Sequence, residues 1–162
     1  MTTLNNGQIK NDTSYFLGKK YKLVSSENFE AFMAEMKVGG IVNTLAKAIK
    51  PILKFTCENG VYTMKTSLLL RKTTIQFKLG VDFIEDRADG KRCISVITLN
   101  GNVMTHIMKG EPECTVVREF NGEEMVATMT VNGVVAKRVY RTDLACNRTR
   151  TRSFIRFNST HR

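Results

Sequence analysis

The sequence predicts an all-β protein whose strands follow one another in an antiparallel meander that closes into a barrel. Turn signals recur after Pro51, flanked by β-branched and aromatic residues; they are Asn59-Gly60, Asp89-Gly90, Asn100-Gly101, Asn121-Gly122 and Asn132-Gly133. Helices do not alternate with these strands, which excludes a parallel sheet. Because a long meander would otherwise leave exposed edges, we expect it to close.

A first strand, Lys20 to Ser25, precedes a short helical region. Ser25 and Ser26 are candidate helix caps. The apolar positions that follow have helical spacing; they are Phe29, Phe32, Met33 and Met36. Gly39 and Gly40 interrupt this pattern, and a second helical stretch over 41–49 ends at Pro51. The region therefore predicts a helix-turn-helix that covers one mouth of the barrel.

The composition argues for a globular protein without enzymatic machinery. The chain has 162 residues, which suits one domain, and a formal net charge of +10. The four cysteines form no C-x-x-C pair, which argues against a zinc or redox site. With only His106 and His161 as histidines, a hydrolytic centre on lipids or esters is disfavoured. We expect no cofactor and no catalysis, and the polar N-terminus predicts a cytoplasmic protein.

Three segments are distinguished by composition. Residues 1–14 are expected to be a flexible extension, 15–141 the barrel domain and 142–162 a basic, disordered tail. The tail carries Arg148, Arg150 and Arg152 with two nearby phenylalanines. A nucleic-acid-binding function through this tail is an alternative hypothesis, and binding that weakens steeply with salt would distinguish it. An extension without such a role is preferred, so no nucleic-acid partner is expected.

Two arginines share a face with apolar residues in predicted strands. One face of the last strand carries Val134, Ala136, Arg138 and Tyr140, and one face of an earlier strand carries Cys114, Val116, Arg118 and Phe120. A single strand arginine usually faces solvent. Here that orientation would bring Lys137, Arg141 and Glu119 into the core, so the pattern favours inward arginines. A buried guanidinium needs an anion, and a ligand carboxylate would match two arginines and a tyrosine hydroxyl.

Several segments match one known family in chain order. They are FLGKKYKLVSSENFEAFM from residue 16, AKAIKP at 46–51, TIQFKLGVDF at 74–83, DRADGKR at 86–92, ITLNG at 97–101 and the Arg-x-Tyr sequence at 138–140. Over about residues 16–141 the chain resembles the intracellular lipid-binding proteins, specifically the fatty-acid-binding proteins. EDRADGKR and REFNGEE are more similar to invertebrate members.

The resemblance implies a ten-stranded antiparallel up-and-down barrel, made of two five-stranded sheets, with the helix-turn-helix lid between the first two strands. It implies a monomeric intracellular carrier of one long-chain fatty acid, moving it between membranes, enzymes or the nucleus. Arg118, Arg138 and Tyr140 would bind the ligand carboxylate. Further positions match the ligand lining and portal of the family; they are Phe29, Met33, Val38, Pro51, Leu70, Ala88 and Asp89. A carrier of retinoic-acid-like or other acidic lipids is the alternative.

Three lysines near the second helix are candidates for contact with anionic membranes. Lys47, Lys50 and Lys54 lie roughly opposite the apolar side of that helix. For three lysines with this spacing, a solvated polar face is the preferred explanation. The membrane interpretation draws on the attraction of each near-surface lysine to anionic lipid and on the resemblance, since the portal helix of the family mediates transfer to bilayers.

Overall fold

The computed structural model describes residues 13–38, 50–69, 71–87 and 89–142, which form ten strands and one helix. The strands are β1 (Lys20–Glu27), β2 (Ile52–Glu58), β3 (Val61–Ser67), β4 (Lys72–Phe77), β5 (Phe83–Asp86), β6 (Arg92–Asn100), β7 (Val103–Lys109), β8 (Cys114–Asn121), β9 (Glu124–Val131) and β10 (Val134–Thr142); helix α1 (Phe29–Glu35) follows β1. The predicted second helical stretch and nearly all of the two predicted terminal extensions lie outside the described residues. Within them, no helix is long and apolar enough to cross a bilayer.

The strands form a nearly closed antiparallel barrel, in the order β4-β3-β2-β1-β10-β9-β8-β7-β6-β5. Each strand pairs with its neighbour in sequence except at β4 and β5, and the pairing of β1 with β10 joins the first strand to the last. The ladder is continuous, so the two expected five-stranded sheets merge into one. Between β4 and β5 the Phe77 and Phe83 rings stack with centroids 5.9 Å apart. The predicted ten-stranded barrel is confirmed.

The hairpin turns lie at the predicted Asn-Gly pairs, but two of the turns begin one residue later than predicted. At Asn59-Gly60 and Asn132-Gly133 both residues have positive φ, as a two-residue type I′ turn requires. At Gly101 and Gly122 only the glycine has positive φ, and the strand continues through the preceding asparagine. These two turns therefore begin one residue later than the predicted Asn-Gly pairs, because glycine occupies the first loop position.

Helix α1 begins later than the sequence predicts. Ser25 and Ser26 belong to β1 and pair with β10, so they cannot cap the helix. The cap is Asn28, in a left-handed conformation with φ of 54° and no side-chain capping bond. Its Nδ2 donates instead to the Val135 carbonyl at 2.8 Å, and Asn132 Nδ2 donates to Glu35 Oε2 at 3.1 Å. Both ends of α1 are thus tethered to the hairpin of β9 and β10.

An aromatic cluster fills the end of the barrel opposite this tether. Phe16 and Phe120 stack with ring centroids 4.5 Å apart, and Phe55 and Tyr21 pack against Phe120. All four side chains are buried. Phe120 lies near the turn between β8 and β9, whereas α1 is tied to the other end of β9. The aromatic cluster and α1 therefore lie at opposite ends of the barrel.

Candidate ligand-binding site

Strand register brings the two predicted arginines together. Arg118 of β8 and Arg138 of β10 both lie opposite Ala127 of β9, so the three residues form one row on the inner face. Adjacent strands are about 4.8 Å apart, which places the two arginine Cα atoms about 10 Å apart across the small alanine. Both arginines are only 7% exposed, as the alternation of the two strands predicts.

These guanidinium groups have unused hydrogen-bond donors. Arg118 Nε and Nη1 and Arg138 Nε are buried and have no hydrogen-bond partner among the described residues. Within the same part of the chain, neither arginine forms an ion pair. Burial lowers the pKa of both groups, yet arginine keeps its charge in proteins. The row is therefore suited to an anion with two acceptor oxygens, such as a carboxylate.

Two aromatic side chains complete the surroundings of Arg138. Tyr140 follows two residues later on the same inner face and is buried; burial raises the pKa of its hydroxyl despite the nearby arginines. The Phe29 ring of α1 lies 3.9 Å from Arg138 Cζ, a cation–π distance. Helix and strand thus meet at the predicted carboxylate-binding residues.

A second polar group inside the barrel is absent from the predicted site. Glu85 of β5 faces inward, and its Oε2 lies 2.7 Å from His106 Nε2 of β7. Burial raises the pKa of Glu85, but the hydrogen bonds from His106 and Ser95 and the charge of Arg118 outweigh it, so the pKa is lowered overall. Glu85 is therefore an ionised internal carboxylate. It is engaged with His106 and forms no ion pair with the arginines among the described residues.

Two features of the sequence hide this pair. Strand β5 has only four residues, too few for a clear alternation of apolar and polar positions. Apolar Ile84 would be expected to face the core, which would turn its neighbour Glu85 outward, but Ile84 is 71% exposed. The signal that could have found Glu85 is its spacing from Phe83, since residues two apart share a strand face. The partner of His106 is hidden in the sequence as well, because it depends on the pairing of β5, β6 and β7.

The predicted lining and portal residues are partly described. Phe29 and Met33 lie on the face of α1 that packs on the barrel, Val38 packs against the same core, and Pro51 is buried at the start of β2. Leu70 and Ala88 lie outside the described residues. Phe29, Met33, Val38 and Pro51 therefore lie at the end of the barrel that α1 covers.

Asp89 has a structural partner rather than a free carboxylate. It forms an ion pair with Arg87, and both side chains are almost fully buried. Arg87 Nη1 also donates to the Pro112 carbonyl, which joins the turn after β5 to the loop after β7. A Cβ on Gly110 would lie 2.8 Å from Arg87 Nη1, so the absence of a side chain there makes room for the guanidinium.

The candidate membrane lysines lie on different elements. Lys47 is outside the described residues, Lys50 is exposed just before β2, and Lys54 lies within β2 rather than on a helix. On the outer face Lys54 is directly opposite Lys20 and Lys65. Lys20, Lys54 and Lys65 form no ion pair in the described part of the chain. These three side chains therefore form a row of uncompensated positive charge on the outer face of β1–β3.

The described residues offer no arrangement for a metal: no group of three or more His, Cys, Asp or Glu side chains converges there. Cys57, Cys93 and Cys114 are free thiols. Burial raises the pKa of Cys114 to about 11, so it is a poor thiolate ligand. The polar chemistry inside the described barrel therefore includes the two arginines, Tyr140, Ser95 and the Glu85–His106 pair.

Known proteins share both sequence and architecture with this chain. The sequence pattern of the lipocalin / cytosolic fatty-acid binding protein family matches residues 17–143. The fatty acid-binding protein of Tyrophagus putrescentiae is 42% identical over 126 residues, which cover 77% of this chain and 96% of that protein.

Solved structures agree with this similarity. The fatty acid-binding protein from brain tissue of Drosophila melanogaster is 41% identical with a TM-score of 0.76, covering 78% of this chain and 98% of that one. The Schistosoma mansoni fatty acid binding protein in complex with arachidonic acid is 32% identical with a TM-score of 0.76, covering 80% of this chain and 97% of that one. Identities of 42% and 41% to invertebrate proteins confirm the expected likeness to invertebrate members.

Proposed function

Because this chain belongs to the lipocalin / cytosolic fatty-acid binding protein family, we propose that it carries one long-chain fatty acid inside its barrel. The family consists of lipid carriers rather than enzymes, and this chain is a lipid carrier. The proposed carboxylate site consists of Arg118, Arg138 and Tyr140. The relative from Schistosoma mansoni, described in complex with arachidonic acid, supports a long-chain acid.

The observation that carries the proposal is the row of two buried arginines with unused donors. Leaving a guanidinium buried without an anion is unfavourable by several kcal/mol. Glu85 cannot neutralise both arginines, since it is bound to His106. A ligand carboxylate would supply the missing charge, whereas a neutral lipid alcohol would not. This favours an acid over a neutral lipid, and it leaves retinoic-acid-like acids as alternative ligands.

The acyl chain supplies most of the affinity in this proposal, and the arginines supply orientation. Each buried methylene contributes about 0.8 kcal/mol, so a long chain outweighs the single carboxylate contact. Phe29, Met33, Val38 and Pro51 are proposed to contact the ligand chain under the helix, with Leu70, Ala88 and Asp89 at the portal. Loading then requires movement of α1 away from the barrel.

We further propose that the carrier exchanges its ligand at anionic membranes. The row Lys20, Lys54 and Lys65 supports this, because like charges directly opposite each other destabilise a sheet unless an external anion compensates them. Each near-surface lysine gains about 1 kcal/mol at an anionic leaflet. Lys50 and the predicted Lys47 would extend this surface toward the second helical stretch.

The carrier is proposed to act as a monomer in the cytosol, with the nucleus as a second location. One barrel accommodates one ligand without a residue from a second chain, which supports the monomer. The description of the family as cytosolic supports the location.

Calorimetric titration with oleate tests the central proposal. We expect one oleate per chain for the delipidated protein and clearly weaker binding for Arg138→Ala. Arg141→Ala is the matched control, since it lies three residues along the same strand with its side chain 65% exposed. Equal, tight binding by all three proteins would overturn the carboxylate assignment. Failure of every protein to bind oleate would leave retinoic-acid-like acids or the basic tail as the next hypotheses.

A further inference from the structure

The interior of the barrel holds a hydrogen-bonded cluster that the proposed carboxylate site does not use. His106 is 1% exposed and Ser95 is fully buried, and the Glu85 side chain is 9% exposed. His106 Nε2 and Glu85 Oε2 are 2.7 Å apart. The His106 imidazole also stacks on Phe83, with ring centroids 6.2 Å apart. Stacking and hydrogen bonding together fix the orientation of the imidazole.

The partners of His106 determine where its proton lies. Burial lowers the pKa of His106, so the imidazole is neutral near pH 7. A neutral imidazole has one N–H donor and one acceptor nitrogen. Since Glu85 is ionised and can only accept, Nε2 carries the proton and donates it to Oε2. Nδ1 is then left with a lone pair that requires a donor.

That donor is missing among the described residues. His106 Nδ1 is buried and has no hydrogen-bond partner there. A buried acceptor without a donor is unfavourable, so this atom favours a ligand that brings a hydroxyl or N–H group. A ketone or ether oxygen cannot satisfy it, because such groups only accept.

The cluster lies within reach of a ligand held at the arginines. Met104 is opposite Arg118 and His106 is opposite Val116, which places His106 one inner-face row from Arg118, about 7 Å along the strand. That row lies toward the end covered by α1. A chain running from the arginines to the helix therefore passes His106.

We propose that His106 Nδ1 accepts a hydrogen bond from a hydroxyl group on the ligand chain, so that this carrier prefers hydroxylated long-chain acids to unsubstituted ones. The inference rests on the proposed function, which places an acid inside the barrel. The ligand therefore has to donate a hydrogen bond to His106 Nδ1, which Glu85 keeps in the acceptor form. The arginines bind the carboxylate of the same ligand. An extra ligand carboxylate at His106 would be repelled by Glu85.

The test is calorimetric titration of the full chain with three matched sets of octadecanoic acids. They are the unsubstituted acid, a positional series of monohydroxy acids and the keto acids oxidised at the same carbons. We expect at least one hydroxy acid to bind about tenfold more tightly than its keto counterpart, the size of one well-satisfied hydrogen bond. The keto acid should bind no better than the unsubstituted acid.

Variants assign the effect to the proposed atom. His106→Phe keeps an aromatic ring beside Phe83 and should remove the preference for the hydroxy acid. Because His106→Phe removes one of the two hydrogen-bond donors to buried Glu85, Glu85→Leu combined with His106→Phe is measured as well, since replacing both partners by apolar groups is better tolerated. Thr105→Ala, the neighbour on the opposite face of β7, is the control and should keep the preference.

The outcomes separate this inference from the proposed function. If all acids bind but hydroxy and keto acids bind equally, a water molecule satisfies Nδ1 and the inference is wrong while the carrier stands. A hydroxyl preference that persists in both His106 variants would also overturn it. If no acid of any set binds, the proposed function itself fails.

Discussion

The Phe29 ring of α1 lies 3.9 Å from the Arg138 guanidinium carbon of β10. Arg138 is buried, and a desolvated cation–π contact contributes about 2 kcal/mol. The covering helix is therefore in direct contact with a residue of the proposed carboxylate site. A movement of α1 that admits a ligand has to break this contact, so the state of the helix and the surroundings of Arg138 are coupled.

The first prediction concerns this coupling. Phe29→Leu keeps an apolar side chain but removes the ring, and we expect it to lower the free energy of unfolding by about 1–2 kcal/mol. A double-mutant cycle with Arg138→Met should give a coupling energy of about 1–2 kcal/mol in urea unfolding of the ligand-free protein. Phe32→Leu, one turn along the helix, is the control. A coupling energy near zero would contradict the cation–π interpretation.

The second prediction is that one substitution raises stability and weakens binding. Arg118→Met removes a buried charge that has no anion in the described residues and retains most of the side-chain volume. We expect the ligand-free protein to be more stable by about 1–4 kcal/mol in urea unfolding. The same variant should bind oleate more weakly. Arg141→Met, with an exposed side chain, should change stability by no more than about 0.5 kcal/mol; a destabilised Arg118→Met would be evidence against an unpaired cation.

Much of the barrel follows from local pattern. Arg118 and Arg138 could be predicted to face inward because alternation in two long strands leaves the other face more polar. The turn signals located the hairpins because glycine is required where φ is positive. These features depend on neighbours in sequence, and the sequence therefore contains them.

Features that depend on strand pairing could not be predicted. Ser25 and Ser26 are good helix caps in isolation, but pairing with β10 draws them into β1 and moves the cap to Asn28. The Glu85–His106 pair joins residues 21 apart in the chain and follows only once β5, β6 and β7 are in register. The cross-strand row of Lys20, Lys54 and Lys65 could not be predicted either, because it depends on the pairing of β2 with β1 and β3.

The third prediction is a pH dependence of stability. Burial keeps the folded-state pKa of His106 below its ordinary value of 6.5, so below that pH the unfolded chain binds protons that the folded one excludes. The hydrogen bonds from His106 and Ser95 outweigh burial and hold the pKa of Glu85 below its ordinary value, so its stabilisation is lost as pH falls through its folded-state pKa. The His106 effect makes the free energy of unfolding fall as pH drops below 7, and the Glu85 effect adds to it only at lower pH, below the ordinary pKa of a carboxyl group.

Urea unfolding at a series of pH values measures this effect. Between pH 7.5 and 5.5 the slope should be clearly smaller in Glu85→Leu combined with His106→Phe. The slope of Thr105→Ala, a change on the opposite face of β7 that removes no titratable group, should equal that of the unmodified protein. A double variant with the full slope would show that other groups are responsible.

The fourth prediction concerns Gly110. A Cβ there would lie 2.8 Å from Arg87 Nη1 and 3.2 Å from Cys93 Cβ. Arg87 cannot move aside, because Asp89 and the Pro112 carbonyl hold it. We expect Gly110→Ala to lower the free energy of unfolding by about 1–3 kcal/mol.

The matched control for this loop is Glu113→Ala, which is exposed. In a background with Arg87→Met and Asp89→Leu the same Gly110→Ala substitution should be better tolerated, since the long apolar side chain can bend away. If Gly110→Ala lowered the free energy of unfolding equally in both backgrounds, the destabilisation would come from the backbone at Gly110 and not from the contact with Arg87.

The fifth prediction separates membrane contact from fold stability. Lys54→Glu places an anion between Lys20 and Lys65, which are directly opposite it on β1 and β3. Favourable cross-strand pairs contribute about 0.2–1 kcal/mol, so the free energy of unfolding should rise slightly. Binding to vesicles that contain anionic lipid should weaken, because one attractive charge is lost and a repulsive one is gained. Lys78→Glu makes the same change in net charge at the turn before β5 and should weaken vesicle binding less. Equal weakening by both variants would mean that total charge, and not this row of lysines, governs the contact.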